Sequence, residues 1–312
     1  MPRNETVNAR HAVAPWAVVA IVVFVIVDAA LVWWALASVR ADSGTPQGEV
    51  LPSVPPAQTT EPTPETSAEP DATAASASSA RPTVVLAALD ANLAYRGLVG
   101  RCPDAAATLE VTTDGGATWV PAFTAGLTDL QSVEPADADI VSMVARDPAG
   151  CGIGRYRSYV QGADWEPTGE LEPTWYLDGA VVFGPGGDSS QCRPDDGEAV
   201  QVAGASEGAA AVLCASGAVH TTTDGGGTWS SAPVPDGIVA ITSAFDGFIV
   251  AITGDGCRGI RTVALAPDAT PGACLEADVA PGTTALDVAS DGTVWVWSGR
   301  AFARSDDGGA TW

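Results

Sequence analysis

The chain has 312 residues and a formal net charge of −24 at pH 7, from 38 acidic and 14 basic side chains. All of the basic side chains are arginines, because the sequence contains no lysine. A surface this acidic repels polyanions, so the composition argues against binding to nucleic acid or to anionic lipid headgroups. The length allows two ordinary domains, or one β-domain with accessory segments.

The first apolar segment is residues 12–39, in which Asp28 is the single charge. About 20 apolar residues cross the hydrocarbon core of a bilayer, and tryptophans stand near both ends of this segment, as interfacial aromatic residues do. A secretory signal is the alternative, since Ala35-Leu36-Ala37 resembles a cleavage site. The apolar core of a signal is only about 7–15 residues long, however. The sequence therefore predicts an uncleaved transmembrane helix.

The charges and cysteines around this segment predict its orientation. Arg3 and Arg10 precede it, whereas Arg40 alone follows it closely, which favours a cytoplasmic tail at residues 1–11. All six cysteines come after the segment, and an even number beyond a membrane span is typical of an oxidising compartment. None forms a C-x-x-C pair, so a zinc or thioredoxin-like site has little support. We therefore expect a cell-membrane protein with its main domain on the extracytoplasmic side.

Residues 40–82 are rich in Pro, Thr, Ser, Glu and Ala and have few large apolar side chains. Such a segment cannot bury a core, and its prolines favour extended conformations. The sequence predicts a disordered linker here.

From residue 83 onward, short runs of Val, Ala and Ile alternate with turn residues, and one motif is repeated. It reads TTDGGATW at 112–119, TTDGGGTW at 222–229 and SDDGGATW at 305–312. A degenerate copy ends at Trp165, and a further unit near residue 270 has lost the motif. The period is about 40–46 residues, apart from the interval between Trp165 and Trp229, which holds an insertion near residues 179–196. Four short strands per unit at this period describe a propeller blade. Residues 83–312 are therefore predicted to form an all-β propeller of about five blades.

The residues of the motif suit the construction of a turn. Aspartate can accept backbone N–H bonds, the second glycine permits positive φ, and the hydroxyl residues can bond across the turn. The tryptophan is expected to bury its ring beside the next sheet. We assign the motif a structural role, in residues Thr112, Asp114, Gly116, Thr118 and Trp119, then Thr222, Asp224, Gly226, Thr228 and Trp229, then Ser305, Asp307, Gly309, Thr311 and Trp312.

The pattern S/T-x-D-x-G-x-T-W resembles the Asp-box, also called the bacterial neuraminidase repeat. Its three full and two degenerate copies cover residues 83–312. The resemblance implies a sialidase-like propeller, a superfamily that includes sialidases, other glycoside hydrolases, sorting receptors and assembly factors. In that superfamily the box is structural and stands on the rim, away from the central site.

The resemblance also implies what a catalytic sialidase would need: three arginines, a tyrosine nucleophile with its glutamate, and an aspartate acid/base. The first arginine belongs to an Arg-Ile-Pro motif, and the nearest match, Arg81-Pro82, lacks the isoleucine and is interpreted as linker. Four tyrosines and five arginines have no context that matches the remaining parts: Tyr95, Tyr156, Tyr159, Tyr176, Arg96, Arg146, Arg155, Arg258 and Arg304. The sequence favours a non-catalytic member, with a glycoside hydrolase that uses two carboxylates as the alternative.

Three further features are candidate site residues, and each has a structural interpretation. His220 stands alone on a strand, without a second histidine for a metal site or a triad. Residues 195–198 (Asp-Asp-Gly-Glu) lack the alternating spacing of a calcium loop, so a turn is expected. Trp175-Tyr176 could touch a ligand, although packing under the insertion is the simpler interpretation. We expect no cofactor and no metal.

Six cysteines allow 15 pairings. The expected blade topology favours Cys192–Cys214 and Cys102–Cys151, which leaves Cys257–Cys274, although a strand separates that last pair. A second question stays open: the chain ends on Trp312, before a fourth strand of its blade. The sequence is then a fragment, or the segment before residue 83 supplies the strand, or the ring stays open. With these features we expect a membrane-anchored binding or scaffolding module whose ligand is a protein or a glycan.

Overall fold

The computed structural model of the chain describes residues 79–312, apart from residues 170, 172, 173, 190, 246 and 255. This part of the chain folds into 22 strands that form six antiparallel sheets. Glycines with positive φ stand at many of the turns, where a side chain would be strained. Each sheet is one blade of a propeller.

The first three blades contain the strands up to residue 189. Blade 1 consists of β1 (Val84–Ala88), β2 (Ala94–Leu98), β3 (Thr108–Thr112) and β4 (Val120–Ala122). Blade 2 consists of β5 (Thr128–Pro135), β6 (Val141–Arg146), β7 (Ile153–Ser158) and β8 (Glu166–Pro167). Blade 3 consists of β9 (Tyr176–Asp178), β10 (Val181–Gly184) and β11 (Gly187–Ser189).

A short 3₁₀ helix, Pro194–Asp196, leads into the remaining three blades. Blade 4 consists of β12 (Ala199–Gly204), β13 (Ala210–Cys214), β14 (Val219–Thr222) and β15 (Ser230–Ser231). Blade 5 consists of β16 (Ile238–Ala244), β17 (Gly247–Gly254), β18 (Cys257–Ala264) and β19 (Leu275–Glu276). Blade 6 consists of β20 (Thr284–Val288), β21 (Val294–Ser298) and β22 (Ala301–Ser305).

The first strand of every blade faces the axis of the ring. β1, β5, β9, β12, β16 and β20 pack side by side in this order, and β20 returns to β1. Apolar side chains fill the spaces between neighbouring blades, as Tyr95, Leu109, Met143 and Trp165 do between blades 1 and 2. Each fully buried side chain of this size contributes about 1.5–3 kcal/mol. The blades are therefore held together by packing between sheets.

The prediction of about five blades is wrong, because there are six. The interval between Trp165 and Trp229 contains two blades, whereas the sequence was interpreted there as one unit with an insertion. Residues 176–189, which include most of that supposed insertion, form a sheet of their own. Its strands have only three or four residues and carry no copy of the repeated motif, so neither the period nor the motif marks it.

The contact between blades 6 and 1, which we call their seam, shows whether the ring is open or closed. Blade 6 is described with three strands, yet it packs directly on the complete blade 1. The Thr83 N–H donates to Gly282 O over 2.7 Å, and the Trp295 indole donates to Asp90 O over 3.1 Å. The ring therefore does not stay open, and residues 79–83 form no strand of blade 6.

The fold-class prediction also included a transmembrane helix. The part of the chain that the structure describes contains no helix long and apolar enough to cross a membrane. The segment 12–39 itself lies outside the described residues, as do the tail 1–11 and most of the predicted linker 40–82.

Candidate functional site

A channel of about 570 Å³ runs between the inner strands of the six blades. Leu130, Leu177 and Leu286 are among its lining residues, with side chains buried in the hydrophobic clusters. Because inner strands alternate their side chains, polar groups also reach the lining from several blades. These polar residues include Asp129, Gln131, Ser132, Glu134, Arg155, Gln201, Thr242, Ser243 and Asp287.

Two carboxylates of the lining are paired with arginines of blade 2. Glu134 Oε2 lies 2.9 Å from Arg155 Nη2, and Asp129 Oδ2 lies 2.7 Å from Arg146 Nε. Arg146 also contacts Asp178 Oδ1 of blade 3 at 2.6 Å, so it joins the inner strands of two blades. Each of these carboxylates is held by an arginine, and none of them stands ready as a lone acid or base.

Asp287 on β20 is different, because it makes no ion pair among the described residues. Its Oδ2 accepts the Ala88 N–H of blade 1 at 2.7 Å, and its Oδ1 accepts the Thr242 hydroxyl of blade 5 at 3.1 Å. One carboxyl group thus links three blades. Desolvation among the inner strands raises the pKa of Asp287 to about 6, although these two hydrogen bonds favour the charged form.

A short segment before blade 1 crosses one mouth of the channel. Ser79 is buried, donates its hydroxyl to Ile238 O at 2.7 Å, and bonds Ala215 O through its backbone N–H at 2.9 Å. Arg81 donates to the carbonyl of Gly179 in blade 3, and Pro82 lines the channel beside it. Residues 79–82 therefore run from blades 4 and 5, past blade 3, to blade 1, and we call them the strap. Arg81 thus lines the channel, in a segment whose sequence was interpreted as linker.

The three full copies of the motif form three nearly identical turns. In the first, Asp114 Oδ1 accepts the Thr118 N–H at 2.8 Å and the Thr112 hydroxyl at 2.8 Å, and Thr112 Oγ1 accepts the Gly116 N–H at 2.9 Å. The corresponding bonds recur around Asp224 and Asp307. Hydrogen bonds, chiefly those from Thr118, lower the pKa of Asp114 to about 2, and those from Thr228 do the same for Asp224. These carboxylates are committed to their own turns.

The tryptophans of the motif pack against the preceding blade, whereas the sequence suggested the next one. Trp119 makes an edge-to-face contact with Phe302 of blade 6, with ring centroids 5.1 Å apart. Trp229 meets Trp175, which precedes blade 3, at 5.9 Å, and the Trp312 indole donates to Ala273 O at 3.1 Å. The three rings are half-buried between blades, and they are not among the residues that line the channel.

The degenerate copy in blade 2 keeps the turn without its aspartate. Ser158 Oγ accepts the Gly162 N–H at 2.8 Å, as the first hydroxyl residue does in the full copies, while the exposed Val160 occupies the aspartate position. Trp165 keeps its place and donates to Phe123 O of blade 1 at 2.6 Å. The packing of the indole on the preceding blade thus survives the loss of the aspartate.

Three disulfides are present: the two pairs that the blade topology favoured, and Cys257–Cys274, which was left by elimination. Cys102–Cys151 connects the β2–β3 turn of blade 1 to the β6–β7 turn of blade 2, across a sequence separation of 49. Cys192–Cys214 and Cys257–Cys274 lie within blades 4 and 5, with separations of 22 and 17.

Of the arginines and tyrosines weighed as catalytic groups, Arg81, Arg155 and Tyr176 line the channel, whereas the others lie elsewhere. Arg96 lies 4.2 Å above the Trp119 ring and Arg304 donates to Ala91 O, both at the seam of blades 6 and 1. Arg146 and Arg155 belong to blade 2, and Arg258 is exposed on blade 5. Burial, together with the nearby Asp139 and Asp137, raises the pKa of Tyr95 to about 12, which makes this core residue a poor nucleophile. Of the tyrosines, Tyr176 is the one in the channel lining, where it stacks on Phe183 at 5.1 Å.

Asp287, Ser79 and the channel position of Arg81 were not predicted from the sequence. Asp287 is one of 38 acidic residues and belongs to no motif. A lone aspartate between apolar residues of a predicted inner strand is the one feature that could have indicated it.

The fold and the channel define the chain as a six-bladed β-propeller. No family model and no curated protein matches it. Among solved structures, YCF48 bound to a D1 peptide is 19% identical over 76% of this chain and 72% of that one, with a TM-score of 0.27.

Two other solved structures have similarly low sequence identities and TM-scores. The WD40 propeller domain of Doa1 is 12% identical over 70% and 90% of the two chains, with a TM-score of 0.39. The Hadza microbial sialidase Hz136 is 14% identical over 76% of this chain and 58% of its own, with a TM-score of 0.33. Likenesses this weak carry no argument about a ligand or an activity.

Proposed function

We propose that this propeller is an extracytoplasmic binding module that receives a basic side chain of a protein partner in its central channel. The observation that carries the proposal is Asp287, a carboxyl group of the channel lining with no cationic partner among the described residues. The three disulfides support an oxidising location.

The channel offers this partner one accessible end. The strap covers one mouth, so the ligand enters at the opposite mouth, near Pro135 and Glu207. Burying a lone carboxylate is unfavourable, and a guanidinium or ammonium group beside it offsets that cost. Asp129 and Glu134 of the lining are already paired with arginines. Asp287 and Glu207 form no ion pair among the described residues, so these two acids give the channel its selectivity for cations.

A peptide library tests the proposal. The full-length chain is immobilised and offered random peptides with and without Arg and Lys. We expect enrichment of basic peptides, and we expect Ser132→Phe, which narrows the channel, to abolish it. Ser230→Phe on the exposed outer strand β15 is the matched control and keeps the enrichment. Equal enrichment by both variants, or none by the wild type, contradicts the proposal.

Asp287 also supports a second candidate, a glycoside hydrolase. A carboxyl group with a pKa raised to about 6 suits a general acid. The second carboxylate that such an enzyme needs would be Glu134, which Arg155 holds at 2.9 Å. A panel of fluorogenic glycosides decides between the candidates: turnover that Asp287→Asn abolishes favours the hydrolase, and no turnover on any substrate removes it.

A further inference from the structure

Four residues between positions 192 and 220 meet at the start of blade 4. Cys192 and Cys214 form a disulfide there, and Asp196 ends the 3₁₀ helix between them. His220 stands on the neighbouring strand β14. The ligand atoms of Asp196, Cys214 and His220 all lie within 4.8 Å of one another.

The protein holds these side chains in place. His220 is 4% exposed and Cys214 is fully buried. His220 Nε2 lies 3.1 Å from Asp196 Oδ2, while its Nδ1 lies 3.4 Å from Ser231 Oγ. The imidazole is thus oriented from both sides, and a polar partner on the far nitrogen is what metal-binding histidines use to fix their ring.

We propose that these residues form a zinc site when the Cys192–Cys214 disulfide is open. The site then offers two thiolates, one imidazole nitrogen and one carboxylate oxygen, which is a complete tetrahedral set for Zn²⁺. The spacing of the ligands, at positions 192, 196, 214 and 220, has no C-x-x-C pair, which is why sequence motifs do not show it.

Opening the Cys192–Cys214 disulfide is a two-electron reduction. A dithiol reductant supplies two electrons and two protons, the S–S bond breaks, and the reductant becomes a disulfide. Zn²⁺ then binds with release of the two thiol protons to solvent. The ion and the nearby Arg193 guanidinium, whose Nη2 lies 3.3 Å from Ser231 Oγ, together balance the two thiolates and the carboxylate. The metal replaces the disulfide as the cross-link between the segment before β12 and the end of β13.

In the part of the chain that the structure describes, the other two disulfides do not have a histidine and a carboxylate beside them in this way. His220 is the sole histidine among the described residues, and the described part of the chain contains no second group of this kind. Near Cys102–Cys151, the Asp147 carboxylate is occupied by the backbone N–H groups of Ala149, Gly150 and Gly152. Opening those disulfides therefore supplies thiols without the accompanying imidazole.

The variant Cys192→Ser tests the proposal without any reductant, because it frees the Cys214 thiol and leaves the other two disulfides intact. We expect the purified full chain to bind one equivalent of Co²⁺ and to develop the near-ultraviolet charge-transfer band of a cobalt–thiolate bond. Cys274→Ser is the matched control, since it frees the buried Cys257 instead. It should show no such band at the same concentration.

Adding His220→Ala to Cys192→Ser should weaken Co²⁺ binding by more than about tenfold, because it removes a direct ligand and the loss of a residue that merely supports a ligand already costs about 10–100-fold. A folded Cys192→Ser protein that binds no Co²⁺, or that binds equally well without His220, overturns the proposal. If Cys192→Ser does not fold, the reduced wild type is alkylated with and without Zn²⁺ and mapped by mass spectrometry. Zn²⁺ should then protect Cys192 and Cys214 selectively, and equal labelling of all six cysteines contradicts the site.

Discussion

Replacing Asp287 with asparagine should change how the stability of the protein depends on pH. The folded state raises the pKa of this carboxyl to about 6, from 3.8 for an unperturbed aspartate. The folded protein therefore holds this proton more tightly than the unfolded chain does, and its stability rises as the pH falls from above 6 towards 4. At 1.36 kcal/mol per pKa unit, the full difference is up to about 3 kcal/mol.

The measurement is denaturant unfolding of wild type and Asp287→Asn at several pH values between 4 and 7. The free energy of unfolding of the wild type, taken relative to the variant, should increase by up to about 3 kcal/mol towards pH 4. The other carboxylates are common to both proteins, so their effects cancel in the difference. Asp268→Asn on an exposed turn controls for the loss of one negative charge. A difference that does not vary with pH, or that varies in the opposite direction, refutes the reasoning.

Three further predictions concern the turns and the disulfides. Gly116→Ala should destabilise the protein by about 1–3 kcal/mol more than Gly226→Ala in thermal unfolding. Both glycines have positive φ, but a Cβ at position 116 collides with the Phe302 ring, whereas a Cβ at position 226 stays 3.4 Å from Trp175. Asp224→Ala should lower the Tm at pH 7. The Tm of this variant should fall less than that of the wild type between pH 4 and pH 2, because the native carboxylate has a pKa of about 2 and loses its stabilising effect as it is protonated. Removing Cys102–Cys151 by a double serine substitution should lower the free energy of unfolding by about 4 kcal/mol, against about 3 kcal/mol for Cys257–Cys274, because Cys102–Cys151 closes the longer loop. The reverse order would contradict the entropic argument.

The β-propeller class could be predicted because its recurring feature is local. The hydrogen bonds made by the aspartate and hydroxyl side chains of each motif join residues at most four positions apart, for example Thr118 to Asp114. A single sequence therefore shows the turn and its period. The disulfide between Cys102 and Cys151 could be predicted for a related reason, since equivalent turns of neighbouring blades lie side by side in a propeller.

The number of blades and the channel could not be predicted in the same way. Blade 3 lacks the motif, and its existence depends on packing against blades 2 and 4 rather than on its own short strands. The Ala88 partner of Asp287 is 199 residues away, and its Thr242 partner is 45 residues away. Contacts of that range follow from how the ring closes, which hydrophobic periodicity does not specify.

A double-mutant cycle across the contact between blades 6 and 1 measures whether the six-bladed ring is closed. Trp119 of blade 1 and Phe302 of blade 6 are in edge-to-face contact at 5.1 Å, a geometry that contributes about 0.5–1.5 kcal/mol beyond burial. Denaturant unfolding of Trp119→Ala, Phe302→Ala and the double variant should give a coupling energy of about 1 kcal/mol. Trp119 and Trp175, which lie in different seams, should show additive effects. Additivity of Trp119 and Phe302 would contradict the closure of blade 6 on blade 1.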